Sequence, residues 1–216
     1  MQLVLASQSP ARFQVLRAAG VEPVQYVSGV VEEALAASMA DATPEVLVAT
    51  LAEAKARTVA EAVAPDHPDS VIVGCDSMLD HEGLLLGKPG SPERARERWV
   101  LMGGGSGVLL TGHAVLRIQN GALGALASGT AQTTIRFGAP SPAEIDAYIA
   151  TGEPMDVAGG FTLDGYGGWF VNRIEGDHGT VPASPSPPAP APGTVGGSGH
   201  GPVGVGASVT RRSCRR

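Results

Sequence analysis

Lysine is scarce in this chain. Of its 15 basic residues 13 are arginine, and the two lysines are Lys55 and Lys88. Asp76 follows the apolar run Ser-Val-Ile-Val-Gly-Cys, and Lys88 lies twelve residues further on in a Leu-Gly-Lys-Pro turn. Near the N-terminus, Ser7-Gln8-Ser9-Pro10-Ala11-Arg12 brings two hydroxyls and a guanidinium to one turn. Free backbone N–H groups and the positive end of a helix would join them there, which is how a chain builds a cradle for an anion or a phosphate. A carboxylate, two ammonium groups, a guanidinium and two serines suit a polyphosphate. The cations hold phosphates, while the carboxylate binds a metal or positions water. Taken singly, each residue has a plainer reading. Ser9 is an ordinary cap, Lys55 a snorkelling side chain, Asp76 a strand-end cap and Lys88 a solvated turn residue.

These residues need elements to position them. Residues 2–6 read as a short apolar strand. Ser9-Pro10 is an N-cap followed by proline at the first helical position, and Gly20 closes that helix, whose apolar face is Phe13, Leu16 and Ala19. Residues 24–27 form a second strand, followed by the acidic segment Ser-Gly-Val-Val-Glu-Glu-Ala. Thr43-Pro44 opens a long helix to about residue 62. Its stripe of Val48, Leu51, Ala52, Val59 and Ala62 has Lys55 in the middle. A buried strand over 70–75 ends at Asp76, where α/β folds place ligands and catalytic groups. A strand over 84–86 runs into Gly87-Lys88-Pro89, and Ser91-Pro92 starts a helix to about 102. Strands over 107–116 and 125–137 are joined through Gln119-Asn120-Gly121, a hairpin-type turn. Ser141-Pro142 caps a helix to about 151, and a glycine-rich stretch from Gly159 to Gly168 leads to a last strand over 169–174. Interleaved strands and helices with an antiparallel pair in the middle predict an α/β fold with a mixed sheet.

Composition narrows the function classes. A net charge of −6 argues against general nucleic-acid binding, which runs on basic surface. No apolar run approaches the roughly 20 residues of a membrane helix, and the N-terminus has neither a basic region nor a long apolar one. A soluble, cytoplasmic protein is the expectation. Cys75 and Cys214 make no disulfide framework, and Cys75 reads as a packed strand residue. His67, His81, His113, His178 and His200 lack metal-ligand spacing. The glycines of 103–107 lack the Lys-Ser/Thr of a phosphate loop, and Lys88 is followed by proline. Trp99 on an apolar helix face reads as core. From Val181 the chain changes character. Residues 181–216 hold seven prolines, seven glycines, four arginines and no acid. Such a segment cannot bury enough apolar area to offset its ordering entropy, so a disordered tail is expected.

In order along residues 1–179, the sequence resembles the Maf family of nucleoside triphosphate pyrophosphatases. LASQSPAR resembles the family's opening Ser-x-Ser-Pro-Arg-Arg signature. SGVVEEA resembles its Val-Asp-Glu segment and puts Glu32 on the family's acidic position. LAEAKA carries the helix lysine as Lys55, GCDSM the catalytic aspartate as Asp76, and LGKP the second lysine as Lys88. TGEPMDVAGGF, DGYGGWF and IEGDHG resemble the C-terminal half. Both lysines of the chain thus fall on family positions.

The resemblance implies a mixed twisted sheet with flanking helices and two lobes around a cleft. It implies hydrolysis of a nucleoside triphosphate between the α- and β-phosphates, with a divalent metal, Mg²⁺ or Mn²⁺, on Asp76 and Glu32. Asp76, Glu32, Lys55 and Lys88 would be catalytic, and Ser7, Ser9, Arg12, Ser77 and Asp164 would bind substrate. A homodimer is also implied, with no nucleic-acid or membrane partner. The chain departs from the family at Ala11, where many members have a first arginine, and at Val31, where an aspartate is usual. Asp164 stands where some pyrimidine-selective members have glutamine. Cys75-Asp76-Ser77-Met78 with the glycine-rich end resembles the thymidine/uridine type.

After Gly179 the family continues with Asn-Val-x-Gly-Leu-Pro-Leu and a final helix, whereas this chain has TVPASPSPPAPAP. With GC-rich codons, a shift of two nucleotides turns residues 181–188 into Gly-Leu-Ser-Leu-Ser-Pro. The expectation is a pyrophosphatase domain over 1–180 and a frameshifted tail over 181–216. The alternative is a weakly or non-catalytic regulator of septum formation and cell division. An inosine triphosphatase of the purine type, which shares fold and reaction, is a further option.

Overall fold

The computed structural model describes residues 1–176. The tail over 181–216, and the frameshift read into it, lie outside the described residues.

Among the described residues, seven strands form one mixed sheet. In chain order the elements are β1 (Gln2–Ala6), α1 (Pro10–Ala18), β2 (Val24–Gln25), α2 (Glu32–Ala37), α3 (Pro44–Val63), β3 (Ser70–His81), β4 (Leu84–Leu86), α4 (Pro92–Met102), β5 (Ser106–Gln119), β6 (Ala122–Phe137), α5 (Pro142–Ala150) and β7 (Val171–Gly176), with short 3₁₀ turns between α5 and β7. The strand order is β2-β1-β3-β5-β6-β7, with β4 added beside β3. β1 runs parallel to both β2 and β3, and every other pairing is antiparallel. The expected mixed α/β architecture is therefore present.

Four helix starts repeat one device. Ser9, Thr43, Ser91 and Ser141 each accept a backbone N–H from the first turn, and a proline follows immediately. The proline has its φ preset for the helix and sits where its missing N–H would have had no intrahelical acceptor. At Ser141 the cap is reciprocal, because Glu144 reaches back to the Ser141 N–H at 2.7 Å. Asn120 and Gly121, at φ of 50° and 75°, make the two-residue turn between β5 and β6. That is the left-handed pair a tight hairpin requires.

Two apolar clusters form the core. One joins β1, α3, β3 and β5 through Val4, Ala52, Ala56, Val59, Ile72 and Leu116. The other joins α4, α5 and the far end of the sheet through Leu79, Trp99, Met102, Ile135, Phe137 and Phe161. Trp99 is core, as expected. Phe137, Tyr148 and Phe170 meet its ring edgewise, and its indole N–H donates to the Gly160 carbonyl at 2.9 Å.

α3 packs directly on the sheet backbone. A Cβ at Gly74 would lie 2.3 Å from the Ala52 carbonyl oxygen, and one at Gly112 would lie 2.0 Å from that of Val48. Both glycines are needed for this approach, and it brings the next turn of α3 down onto the strand.

Several boundaries differ from the sequence reading. β3 does not end at Asp76 but continues to His81. Asp76 and Ser77 break the apolar run, yet their backbone still pairs with Gly112 and Thr111 of β5. Backbone pairing sets strand length here, and partners on neighbouring elements satisfy the polar side chains. The acidic segment forms α2, which was not anticipated. The last strand starts at Val171, because Tyr166–Phe170 is a 3₁₀ turn. In the α1 face Leu16 is buried while Ala19 is exposed, and in α3 the stripe ends on Val63 with Ala62 exposed.

Candidate active site

The site lies at an interruption in one edge of β3. On that edge β1 pairs with Ser70 to Gly74, and β4 pairs with Leu79 to His81. Cys75 to Met78 have no strand partner there, while β5 runs along the opposite edge from Ser70 to Asp80. Asp76 and Ser77 point to opposite faces of the sheet, as consecutive strand residues must. The break in the edge lets both reach one cavity of about 410 Å³. A strand-end position was the expected reason for Asp76 to meet a ligand. The structure replaces it with an unpaired stretch inside a longer strand.

Lys55 is the central cation. It is 7% exposed, and its Nζ donates to Asp76 Oδ1 at 2.6 Å and lies 2.8 Å from Glu32 Oε1. A buried ammonium must be paired, and two carboxylates do this. The close seating of α3 over Gly74 and Gly112 delivers it, and α2 brings Glu32 from the other side. Asp76 is 5% exposed, and its Oδ2 is buried without a partner among the described residues. Burial pushes the Asp76 carboxyl above the ordinary aspartate range. Lys55 pulls it back, Glu32 pushes it further up, and Arg12 pulls it down.

Arg12 organises the other wall. Its guanidinium donates to Ser7 Oγ at 3.1 Å, to the Cys75 carbonyl at 2.9 Å and to Ser77 Oγ at 3.0 Å. The Cys75 carbonyl is a backbone acceptor on the unpaired stretch of β3, so Arg12 occupies the place of a missing strand. Ser7 Oγ accepts the Ser9 N–H at 3.2 Å, and Ser9 caps α1. Ser9 is therefore the ordinary helix cap, and the same turn also lines the cavity.

All nine residues expected at the site line this one cavity: Ser7, Ser9, Arg12, Glu32, Lys55, Asp76, Ser77, Lys88 and Asp164. Lys88 and Asp164 are exposed and make no ion pair among the described residues. Lys88 enters from the turn after β4, where the Gly87 carbonyl accepts from Arg98 at 2.5 Å and from the Gly159 N–H at 3.1 Å. Cys75 does not line the cavity and is fully buried, with burial raising its thiol pKa.

Sequence reasoning missed several contributors. Thr111 is buried and shares a 2.9 Å hydrogen bond with Ser77 Oγ across β3 and β5. Gln25 donates to the Ser7 carbonyl at 2.7 Å and holds the turn. Val157, Phe161 and Leu163 give the cavity an apolar side, with Thr162 beside them. No local signal marks Thr111 or Gln25, since each acts through strand pairing. Val157 and Phe161 sit inside a motif already singled out, whereas Thr162 and Leu163 fall between two of them.

A buried carboxylate with one oxygen unpartnered among the described residues, paired to Lys55 in a cavity that Arg12 and Lys88 also line, can bind a polyanion and take a proton from water. A family model described as Maf-like protein matches residues 2–182. The nucleoside triphosphate pyrophosphatase of Saccharopolyspora erythraea is 56% identical over 182 residues, covering 84% of this chain and 86% of the relative. That of Rhodococcus opacus (strain B4) is 58% identical over 180 residues, covering 82% and 84%. That of Mycobacterium sp. (strain JLS) is 48% identical over 182 residues, covering 83% and 87%. Matched over most of its length by that model and by these relatives, the chain belongs to the Maf family.

Proposed function

We propose that this chain hydrolyses nucleoside triphosphates between the α- and β-phosphates, with a preference for dTTP and UTP, and acts in the cytoplasm. The observation that carries the reading is Lys55 buried between Asp76 and Glu32 in a cavity also lined by Arg12 and Lys88. Both lysines of the chain and Arg12 thus meet in one cavity, cations suited to a triphosphate beside carboxylates suited to its metal.

In the proposed reaction, water attacks the α-phosphorus. Its oxygen forms the new P–O bond, the α–β bridging P–O bond breaks, and pyrophosphate leaves. The water proton passes to Asp76 Oδ2, the carboxylate oxygen with no partner among the described residues. Arg12 and Lys88 neutralise the charge that collects on pyrophosphate. Lys55 holds Asp76 in place and offsets its charge until substrate arrives.

The donor set fits a divalent cation. Asp76 and the half-exposed Glu32 supply two carboxylates, and among the described residues no group of three metal-ligating side chains forms a site alone. Mg²⁺ commonly takes one or two carboxylates, substrate phosphates and water, so Asp76 and Glu32 would hold it together with the nucleotide. When bound, it would supply further charge neutralisation on the phosphates. No described helix is long and apolar enough to cross a membrane.

Pyrophosphate release from a panel of nucleotides with Mg²⁺ or Mn²⁺ tests the proposal. Release from dTTP and UTP ahead of the others is expected. Preference for inosine or xanthosine nucleotides would move the chain to the purine type. Release from none would overturn the enzyme reading in favour of the cell-division regulator.

A further inference from the structure

Glu153 belongs to the TGEPMD segment but is not among the residues lining the cavity. It follows Gly152, whose φ of 78° turns the chain off the end of α5, and its N–H donates to Thr151 Oγ1 at 3.2 Å. Its carboxylate is spent on one loop. Oε1 accepts from the Thr162 hydroxyl and from the Gly167 N–H at 3.0 Å, and Oε2 accepts from the Tyr166 N–H at 3.0 Å. Burial pushes this carboxyl up, but the donors from Thr162, Gly167 and Tyr166 outweigh it and hold the group below the ordinary glutamate range.

The loop is shaped around that carboxylate. A Cβ at Gly165 would lie 2.4 Å from Glu153 Oε2, one at Gly167 would lie 2.6 Å from Tyr148 Oη, and one at Gly168 would lie 2.6 Å from the Leu163 carbonyl oxygen. The glycines of Asp-Gly-Tyr-Gly-Gly therefore answer steric demands at Glu153, Tyr148 and the loop backbone. The clamped Thr162 and, between it and Tyr166, Leu163 and Asp164 line the cavity beside Val157 and Phe161. The cations Arg12 and Lys55 come from other elements, α1 and α3.

Resting on the proposed function, we infer that Glu153 is a positioning residue for nucleoside recognition: it clamps the Thr162–Gly167 loop, and so presents Thr162, Leu163 and Asp164 to the base and sugar without touching the triphosphate.

The test separates the two ends of the substrate. The full chain is titrated with α,β-imido-dTTP, which cannot be cleaved at the α–β bridge, and separately with inorganic tripolyphosphate, which has no nucleoside. Glu153→Gln keeps the shape and removes the charge. It should weaken the imido nucleotide about tenfold, the scale of one weakened charge-assisted hydrogen bond, and leave tripolyphosphate within about twofold. Gly165→Ala, which pushes Glu153 off the loop from the other side, should do the same, and Glu153→Asp should recover part of the loss. Unchanged affinity for both probes in both variants would overturn the inference, as would equal weakening of both, the mark of a general folding defect. Wild-type chain that binds neither probe would overturn the triphosphate reading and this inference with it.

Discussion

Asp76 is an ionisable group placed where ionisation is costly. Its carboxyl is raised first by burial, and Lys55 is the main influence pulling it back. With Asp76 as the proposed base, activity should fall on acidification at a pH above the usual aspartate range. Lys55→Met removes the lowering influence, so the acid limb of kcat/KM should move to higher pH. The pH–rate profile checks this, and an acid limb that stays put or moves down would count against Asp76 as the base. Asp76→Asn should lower kcat by about 10²–10⁴, the usual contribution of a positioned base. Nucleotide should still bind, because Arg12 and Lys88 are untouched. An active Asn variant in single-turnover assays would remove Asp76 from its role.

At the level of elements, the decisive contact is α3 on the sheet. Gly112 is the β5 neighbour of Asp76, and the Val48 carbonyl oxygen lies over it. Gly112→Ala puts a methyl group 2.0 Å from that oxygen, so α3 must lift. Overpacking of this kind costs about 1–3 kcal/mol. Lys55 rides on the same helix, so the activity lost at a temperature where the variant is fully folded should exceed what the stability loss explains. Denaturant titration beside steady-state kinetics measures both. Ser141→Ala tests a different element. Losing the reciprocal cap on α5 should cost about 1 kcal/mol and leave kcat unchanged, since neither Ser141 nor Glu144 lines the cavity.

For the whole molecule, the cavity draws its lining from distant parts of the chain. Ser7 and Arg12 come from the start, Lys55 and Asp76 from the middle, and Phe161 to Asp164 from near the end of the described residues. Phe161 and Leu163 also belong with the second core cluster, whereas α3 packs in the first. A ligand in the cavity therefore ties the two clusters together. At 100 times its Kd, a nucleotide should stabilise the fold by about 2.7 kcal/mol. For a chain of this size that raises Tm by roughly 5–10 °C. Thermal unfolding with and without α,β-imido-dTTP measures it, and no shift under saturation would show that the nucleotide does not bind the folded state preferentially.

Residue identity and order in the sequence were enough to name nine of the residues that line the cavity, because two lysines in a chain of arginines and a run of motifs in family order can be read without coordinates. Four helix starts were equally legible, since a Ser/Thr-Pro cap is a local device. Tertiary structure decided how Asp76 meets the cavity. The sequence reading ended its strand there, but pairing with β5 carries β3 five residues further, and the unpaired edge exists only because β1 stops at Ala6 and β4 begins again opposite Leu79. α2, Thr111, Gln25 and the Glu153 clamp were likewise invisible, because no pattern in the neighbouring residues marks them. Local chemistry is written in neighbouring residues, whereas a break in a sheet edge is a relation among three strands, and only the folded chain brings those together.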